Sequence, residues 1–388
     1  MKDVYIIGAA RTPMGGFQGD LSPASAADLG GAAIKAALKN AGADAGAVEE
    51  LLMGCVLPAG QGQAPARQAG FAAGLGESVP ATTLNKMCGS GMKAVMIAHD
   101  QIALGANTTM VAGGMESMSN APYLLPSMRG GARLGHGQTV DHMFLDGLED
   151  AYDKGRLMGT FAEDCAERFQ FSREDQDAYA LDSLSNALAA QKSGAFDGEI
   201  APVTLKTRKG EVVIAADEQP AKARPEKIPQ LKPAFRKGGT VTAANSSSIS
   251  DGAAALLLSS DKSGARARIL GHASYAHAPS LFPTAPVPAA RKLLQQLGWA
   301  VADVDLWEVN EAFAVVPMAF MQEMGLPRDK VNVNVNGGAC ALGHPIGASG
   351  ARIMVTLLNA LEKRGLRRGI AAICIGGGEG TAIAIERV

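Results

Sequence analysis

The two halves of this 388-residue chain repeat one order of elements, and few folds accommodate such a repeat. Val4-Tyr-Ile-Ile-Gly8 reads as a buried strand running into the loop Arg11-Thr-Pro, residues 25–41 as a helix, and 48–54 as a second strand. In the second half Ala267-Arg-Ile-Leu-Gly271 is again a strand, 288–297 a helix closed by Gly298, and 304–310 a strand. One shift of 256 residues carries Gly42 and Val48 onto Gly298 and Val304. Ser90-Gly-Met-Lys and Ser349-Gly-Ala-Arg each open a helix, and each helix leads to an apolar strand ending in glycines and a glutamate, at 110–116 and 372–379. Strand–helix alternation favours βαβ units with parallel strands covered by helices. Two copies imply a pseudo-symmetric α/β core with helices sandwiched between two sheets.

Between the repeats lies a different segment, 119–248. Pro122, Pro126, Gly130-Gly131 and His136 give its start a loop composition, and the capping-box pattern Ser172-Arg-Glu-Asp opens a helix to about Lys192. Residues 206–237 hold nine Lys/Arg (206, 208, 209, 222, 224, 227, 232, 236, 237) against four acids, which suits a solvated surface or an anionic small molecule equally. A nucleic acid would want more charge and interleaved aromatics. The net charge of −2 gives no whole-chain affinity for nucleic acid or an anionic membrane. No apolar run reaches the ~18 residues of a membrane span, and the first residues resemble no signal or transit peptide, so a cytosolic location is expected. Five cysteines (55, 88, 165, 340, 374), an odd number without a C-x-x-C pair, argue for reduced thiols and against a disulfide framework or a zinc site.

Chemistry concentrates at a few positions. His344 lies in Asn336-Gly-Gly-Ala-Cys-Ala-Leu-Gly-His-Pro-Ile-Gly-Ala-Ser-Gly-Ala-Arg352, with five glycines within seven residues either side, at the start of a helix marked by Ile353, Met354, Leu357, Leu358 and Leu361. A structural histidine seldom needs such surroundings, and the glycines read as clearance for a ligand. Cys88, in Asn85-Lys-Met-Cys-Gly-Ser-Gly, follows an extended Ala-Thr-Thr-Leu run and precedes a helix ending near Gly105. The helix dipole there is expected to lower a thiol pKa from about 8.5 toward 7, raising the thiolate fraction roughly tenfold. Cys374 sits at the carboxyl end of a strand, where α/β proteins collect their active sites. Asn310, in Asn-Glu-Ala-Phe313, ends another strand, where an amide can hold a water or an oxyanion. Cys55, Cys165 and Cys340 read as core or bystander thiols. Two cysteines, a histidine and an asparagine at the mouths of repeated elements suggest acyl transfer through a thioester. Patterns for nucleotide binding, zinc proteolysis or serine hydrolysis are missing.

These motifs, at 85–95, 111–118, 310–313, 336–352 and 374–378, resemble those of the thiolases, and the likeness runs from about residue 3 to the C-terminus. The resemblance implies a layered αβαβα core with an N-terminal half (1–118 plus 249–264), a loop domain over coenzyme A (119–248) and a C-terminal half (265–388). It implies Cys88 as the acylated nucleophile, His344 as its base, and Cys374 as the second acid/base. Asn310 would hold one oxyanion through a water, and the N–H groups of Cys88 and Gly376 another. Leu148, Met158, Phe235, Ala243, Ser247, Ile249, Phe282 and Phe313 match positions around the acyl and pantetheine pocket, and the basic run falls where coenzyme A phosphates would lie. The activity implied is Claisen condensation of two acyl-CoA molecules and the reverse thiolysis. The alternatives are a medium-chain β-oxidation thiolase and, more remotely, a non-catalytic binder of coenzyme A or lipid. Coenzyme A would be substrate and product, with no permanently bound cofactor and no metal. The 119–140 stretch matches the family's tetramerisation loop, implying a homotetramer. Short-chain members often read His-Met-Gly where this chain has Leu157-Met-Gly, which leaves room for medium chains.

Overall fold

The computed structural model describes residues 1–208, 210–327 and 332–388; Lys209 of the basic run lies outside them. The first half contains β1 (Val4–Arg11), β2 (Gly15–Gly16), α1 (Ala26–Ala41), β3 (Glu50–Gly54), α2 (Pro65–Ala73), β4 (Ala81–Leu84), α3 (Ser90–Leu104) and β5 (Thr109–Ser117). There follow β6 (Tyr123–Leu124), β7 (Val140–Asp141), α4 (Met158–Phe169), α5 (Arg173–Ser193), β8 (Val203–Thr207), β9 (Gly210–Ile214), α6 (Glu218–Lys222) and β10 (Ser250–Ser259). The second half has β11 (Ala267–Ala276), α7 (Pro286–Leu297), β12 (Leu306–Val309), α8 (Val315–Met324), α9 (Ala339–Leu342), α10 (Ile346–Arg364), β13 (Arg368–Ile375) and β14 (Glu379–Arg387).

The repeat read from the sequence is a structural repeat. Helices α1 and α7 both end on left-handed glycines, Gly42 (φ 61°) and Gly298 (φ 66°), where a side chain would be strained. Each is followed by a 3₁₀ turn, at Ala45–Ala47 and Val301–Asp303, and then a strand. Strand order in the first half is β4-β3-β5-β10-β1, and in the second β12-β13-β14-β11, with a parallel Trp307–Val333 bridge standing where β4 pairs with β3. Pairing is parallel among β3, β4 and β5 and between β12 and β13, as βαβ units require. Strands β10 and β14 run antiparallel to their neighbours. In the second half β13 turns directly into β14 through Gly376-Gly377-Gly378; at the same place the first half carries the whole segment between β5 and β10.

The two expected sheets are joined. Val4, Tyr5 and Ile6 of β1 pair antiparallel with Ile269, Arg268 and Ala267 of β11, so each edge satisfies the other's ladder groups and one ten-stranded sheet results. It wraps around α3 and α10, which pack on each other and on strands of both halves. Both faces of the strands are buried, with alternate residues entering different layers. Leu52, Leu256, Ile373 and Ile383 join Met92, Val95, Ile353 and Leu357 of α3 and α10 in the middle. Leu51, Met53 and Leu257 pack under α1 and α2, and Ile370, Trp307 and Ala382 under α7 and α8. The five layers α-β-α-β-α follow from this alternation. The inserted segment is tied to β1 by Arg11, fully buried, whose Nε donates to Glu199 Oε1 at 2.5 Å and whose terminal nitrogens donate to Asp217 at 2.6 and 2.9 Å. Breaking such a buried group by removing one partner costs about 3–5 kcal/mol. Among the described residues no helix is long and apolar enough to cross a membrane.

Candidate active site

Cys88 is presented by a tight turn. Met87 before it takes a left-handed φ of 46°, a conformation costing a non-glycine residue about 1–2 kcal/mol. Three hydrogen bonds hold that turn: Met87 N–H donates to Asn85 Oδ1 (2.8 Å), Lys86 N–H to Ser90 Oγ (2.8 Å), and Ser90 Oγ–H to the Met87 carbonyl (2.7 Å). An ion pair from Lys86 to Glu379 ties the turn to β14. The N–H groups of Gly376 and of Cys88 itself are directed at the Cys88 sulfur. The residue called Gly89 has no side chain because Ile375 of β13 occupies that space, 2.4 Å from where a Cβ would stand. This close approach brings the 374–376 strand end against the Cys88 turn.

His344 enters from the other half. Its N–H donates to the carbonyl of Ser248 (3.1 Å), and its Nδ1 lies 2.5 Å from Ser349 Oγ. Ser349 donates its one hydroxyl hydrogen to the Pro345 carbonyl (3.0 Å), so it accepts from the ring. The proton is thereby assigned to Nδ1, and Nε2, buried and without a partner among the described residues, keeps its lone pair. The glycines around His344 allow close approach of other protein elements. Gly343 has φ 106° and would clash with Ser250 Oγ, 2.1 Å from its Cβ position; Gly350 would meet the Met92 backbone of α3 at 2.5 Å.

Cys374 and Asn310 are both fully buried. Asn310 donates its backbone N–H to Ala372 of β13 (3.0 Å), while neither Oδ1 nor Nδ2 of its amide has a partner among the described residues. A cavity of about 370 Å³ opens onto this region, with Cys88, His344 and Gly376 in its wall. All eight positions matched to the acyl and pantetheine pocket line it: Leu148, Met158, Phe235, Ala243, Ser247, Ile249, Phe282 and Phe313. Cys374 and Asn310 are not among its lining residues. Leu157 is one of them, and Phe313 meets Phe235 and Phe282 edge-on at ring distances of 5.9 and 6.4 Å, closing one side with aromatic surface. A second cavity of about 460 Å³ shares Ala243 with the first. Of the eight described basic residues in 206–237 only Lys222, Arg224 and Lys227 line it; Arg236 is engaged instead by Glu163, Asp164 and Glu167.

The electrostatics overturn one expectation. Burial pushes the Cys88 thiol up to about 11, although the N–H groups of Gly376 and Cys88 oppose the shift. Desolvation outweighs a helix-start contribution because the sulfur is enclosed by apolar groups. Cys374 lies well above the ordinary thiol range, from burial first and then from the Cys88 charge, so the two sulfurs resist ionising together. Burial, followed by the Arg352 charge, lowers His344 to about 3. At neutral pH the site holds two thiols and a neutral imidazole.

This depression of His344 has a consequence for stability. The unfolded chain takes up the proton at its ordinary value of 6.5 and the folded chain only near 3, so this contribution is whole above pH 6.5 and is lost as pH falls toward 3, at about 1.4 kcal/mol per unit. His344→Gln should therefore lose about 2 kcal/mol less than the parent between pH 6.5 and 5 in urea unfolding. Parallel losses in the two proteins would mean that the folded imidazole charges freely.

Two acids that the sequence reading left without a role position the site. Glu116, fully buried at the end of β5, accepts from the N–H groups of Val56 (2.9 Å), Leu57 (3.1 Å) and Gly347 (2.8 Å), clamping the start of α10. Glu311, beside Asn310, accepts from Tyr179 OH (2.9 Å), Ser183 Oγ (2.7 Å), Asn334 Nδ2 (2.9 Å) and Cys340 N–H (3.0 Å). A charged residue at the end of an otherwise apolar strand, two residues after Gly114 or directly after Asn310, was the available signal.

Moving an acyl group between thiols takes a sulfur nucleophile, a base and donors for an oxyanion, and this arrangement is that of a thiol-dependent acyltransferase. Comparison with known proteins agrees. The thiolase N-terminal domain matches residues 4–262 and the thiolase C-terminal domain residues 264–387. Acetyl-CoA acetyltransferase 2 of Arabidopsis thaliana is 50% identical, over 99% of this chain and 97% of its own. The acetyl-CoA acetyltransferase of Cupriavidus necator is 48% identical over the full length of both. Among solved structures, that of the Bacillus anthracis acetyl-CoA acetyltransferase superposes with a TM-score of 0.96 at 42% identity, covering 100% of this chain and 99% of the other. A thiolase from Ascaris suum in complex with coenzyme A gives 0.93 at 44%, covering both chains completely. The chain belongs to the thiolase family and is an acyltransferase.

Proposed function

We propose that this thiolase condenses two acetyl-CoA molecules to acetoacetyl-CoA and catalyses the reverse, coenzyme A-dependent thiolysis, by a ping-pong route through an acyl-Cys88 thioester. The observation that carries the reading is one cavity wall holding the Cys88 sulfur, the Gly376 N–H directed at it, and His344 with an unprotonated Nε2. In the first half-reaction Nε2 takes the Cys88 proton as the sulfur attacks the acyl carbonyl. The N–H groups of Cys88 and Gly376 hold the oxyanion, and coenzyme A leaves with the proton. In the second, Nε2 takes the Cys374 proton and the resulting thiolate removes the α-proton of the incoming acetyl-CoA. The Nε2–H of His344 and a water on the unpaired Asn310 amide hold the enolate oxygen, the enolate carbon attacks the acyl group on Cys88, and the released Cys88 thiolate takes the proton back from Nε2. Exchanging thioesters is nearly isoenergetic, so the protein's work is stabilising two oxyanions in turn.

The pantetheine arm fits the apolar cavity past Ala243 and Ser247, and the phosphates fit the adjoining cavity with Lys222, Arg224 and Lys227. The relatives' activity supports the two-carbon acyl unit, and so does the aromatic wall of Phe235, Phe282 and Phe313. The same reading makes 119–248 a domain over the coenzyme between halves at 1–118 plus 249–264 and 265–388. It makes the enzyme a cytosolic homotetramer assembled through 119–140, where Tyr123, Leu125, Met128 and Leu134 expose apolar side chains. Thiolysis of 3-ketoacyl-CoA substrates from four to sixteen carbons tests the substrate. The four-carbon substrate should exceed the eight-carbon one in kcat/KM by at least about tenfold, the effect of a few misfitted methylenes. An equal or faster eight-carbon rate would give the Leu157 wall the opposite meaning, that of a medium-chain enzyme.

A further inference from the structure

A cluster outside the active site has the composition of a metal centre. His99 and Asp100 lie on α3, and His272 lies on β11 of the other half. His99 Nδ1 is 3.0 Å from Asp100 Oδ1, and His272 Nε2 is 2.8 Å from the same oxygen. The two rings stand edge to face, 5.2 Å apart at 87°, and one donor atom from each of the three residues lies within 4.8 Å of the others. Both imidazole side chains are 17% exposed while the carboxylate is 52% exposed, so solvent reaches the group from one side. Among the described residues neither lysine nor arginine pairs with Asp100.

We propose that His99, Asp100 and His272 bind one divalent late first-row ion of the nickel or zinc class, with water completing its coordination. Bonds of about 2.0–2.1 Å at angles between 90° and tetrahedral put neighbouring donors roughly 2.8–3.4 Å apart, and the two donor spacings to Asp100 Oδ1 are of that size. Two imidazoles and one carboxylate suit this class of ion better than calcium or magnesium, which prefer all-oxygen sets. One nitrogen of each ring faces Asp100 Oδ1. The ion takes the place between them with each ring in the tautomer that carries its proton on the outer nitrogen, so no oxidant or reductant is involved. The ion bridges α3 and β11 and so links the two halves of the fold away from the chemistry. No ligand spacing in the chain announces it, because His272 is 172 residues from Asp100.

Calorimetric titration of the chelator-treated full-length chain with nickel chloride tests the site, read beside its unfolding temperature. One equivalent should bind with a dissociation constant on the order of micromolar and raise the unfolding temperature. His272→Ala and Asp100→Asn should each weaken binding at least tenfold and remove the thermal shift, while thiolysis activity and metal-free unfolding temperature stay near those of the parent. Binding unchanged in both variants, or no binding at protein concentrations near 100 times the expected constant, would overturn the proposal. Neither result bears on the acyl-transfer reading, since the readout is metal affinity.

Discussion

Cys88→Ala is expected to abolish both half-reactions, lowering turnover by roughly 10⁴-fold or more, the scale on which losing a covalent nucleophile is felt. Alanine keeps the turn intact: the hydrogen bonds holding it run through Asn85, Lys86, Met87 and Ser90, and the sulfur supports none of them. The variant should therefore fold and still bind coenzyme A, yet form no acyl-enzyme detectable by intact mass spectrometry. Exchange of labelled coenzyme A into acetyl-CoA, which requires only the first half-reaction, should fall with it. Undiminished turnover or exchange would remove Cys88 from the mechanism.

The second large effect separates the two steps. Cys374→Ser should leave acylation of Cys88 and the coenzyme A exchange within about tenfold of the parent, while carbon–carbon bond formation falls by about 10²–10⁴-fold, the usual contribution of a positioned base. Serine nearly matches cysteine in volume, so the buried strand end of β13 is retained. Its hydroxyl is a far weaker acid than a thiol, and its anion is out of reach in a site that already holds the Cys374 thiol well above its ordinary range. Enolate formation, followed as exchange of the acetyl α-hydrogens with solvent deuterium, should fall in parallel with condensation. Equal losses in acylation and condensation would show that Cys374 supports the site as a whole and has no step of its own.

Much of this was legible in the chain because it was written locally. Gly42 and Gly298 close their helices at equivalent places, Ser172 caps α5, and the runs at 110–116 and 372–375 fold as strands. Glycine caps, capping boxes and apolar periods act over a turn or two of backbone, so the residues themselves carry them. The site residues were legible for a related reason, since each ends a repeated element and such ends are placed by the fold around them. What failed had another scale. The thiol of Cys88 was read from its helix start, but its proton affinity is set by burial against apolar residues such as Val56, Leu57 and Ile346 that distant segments bring together. The basic run was read as one surface, yet Arg236 is drawn into a cluster of α4 acids.

The sequence by itself determined the repeated strand–helix order, the helix ends, and which thiols, histidine and amide stand at the mouths of those elements. Tertiary structure alone decided the rest. Pairing of β1 with β11 made two sheets one, Ser349 chose the proton position of His344, and Glu116 and Glu311 clamped the loops that carry the site. It also placed His272 against His99 and Asp100. The physical reason is one of range: propensity and capping act between neighbours in the chain, whereas desolvation, register and side-chain hydrogen bonds depend on which groups folding encloses together.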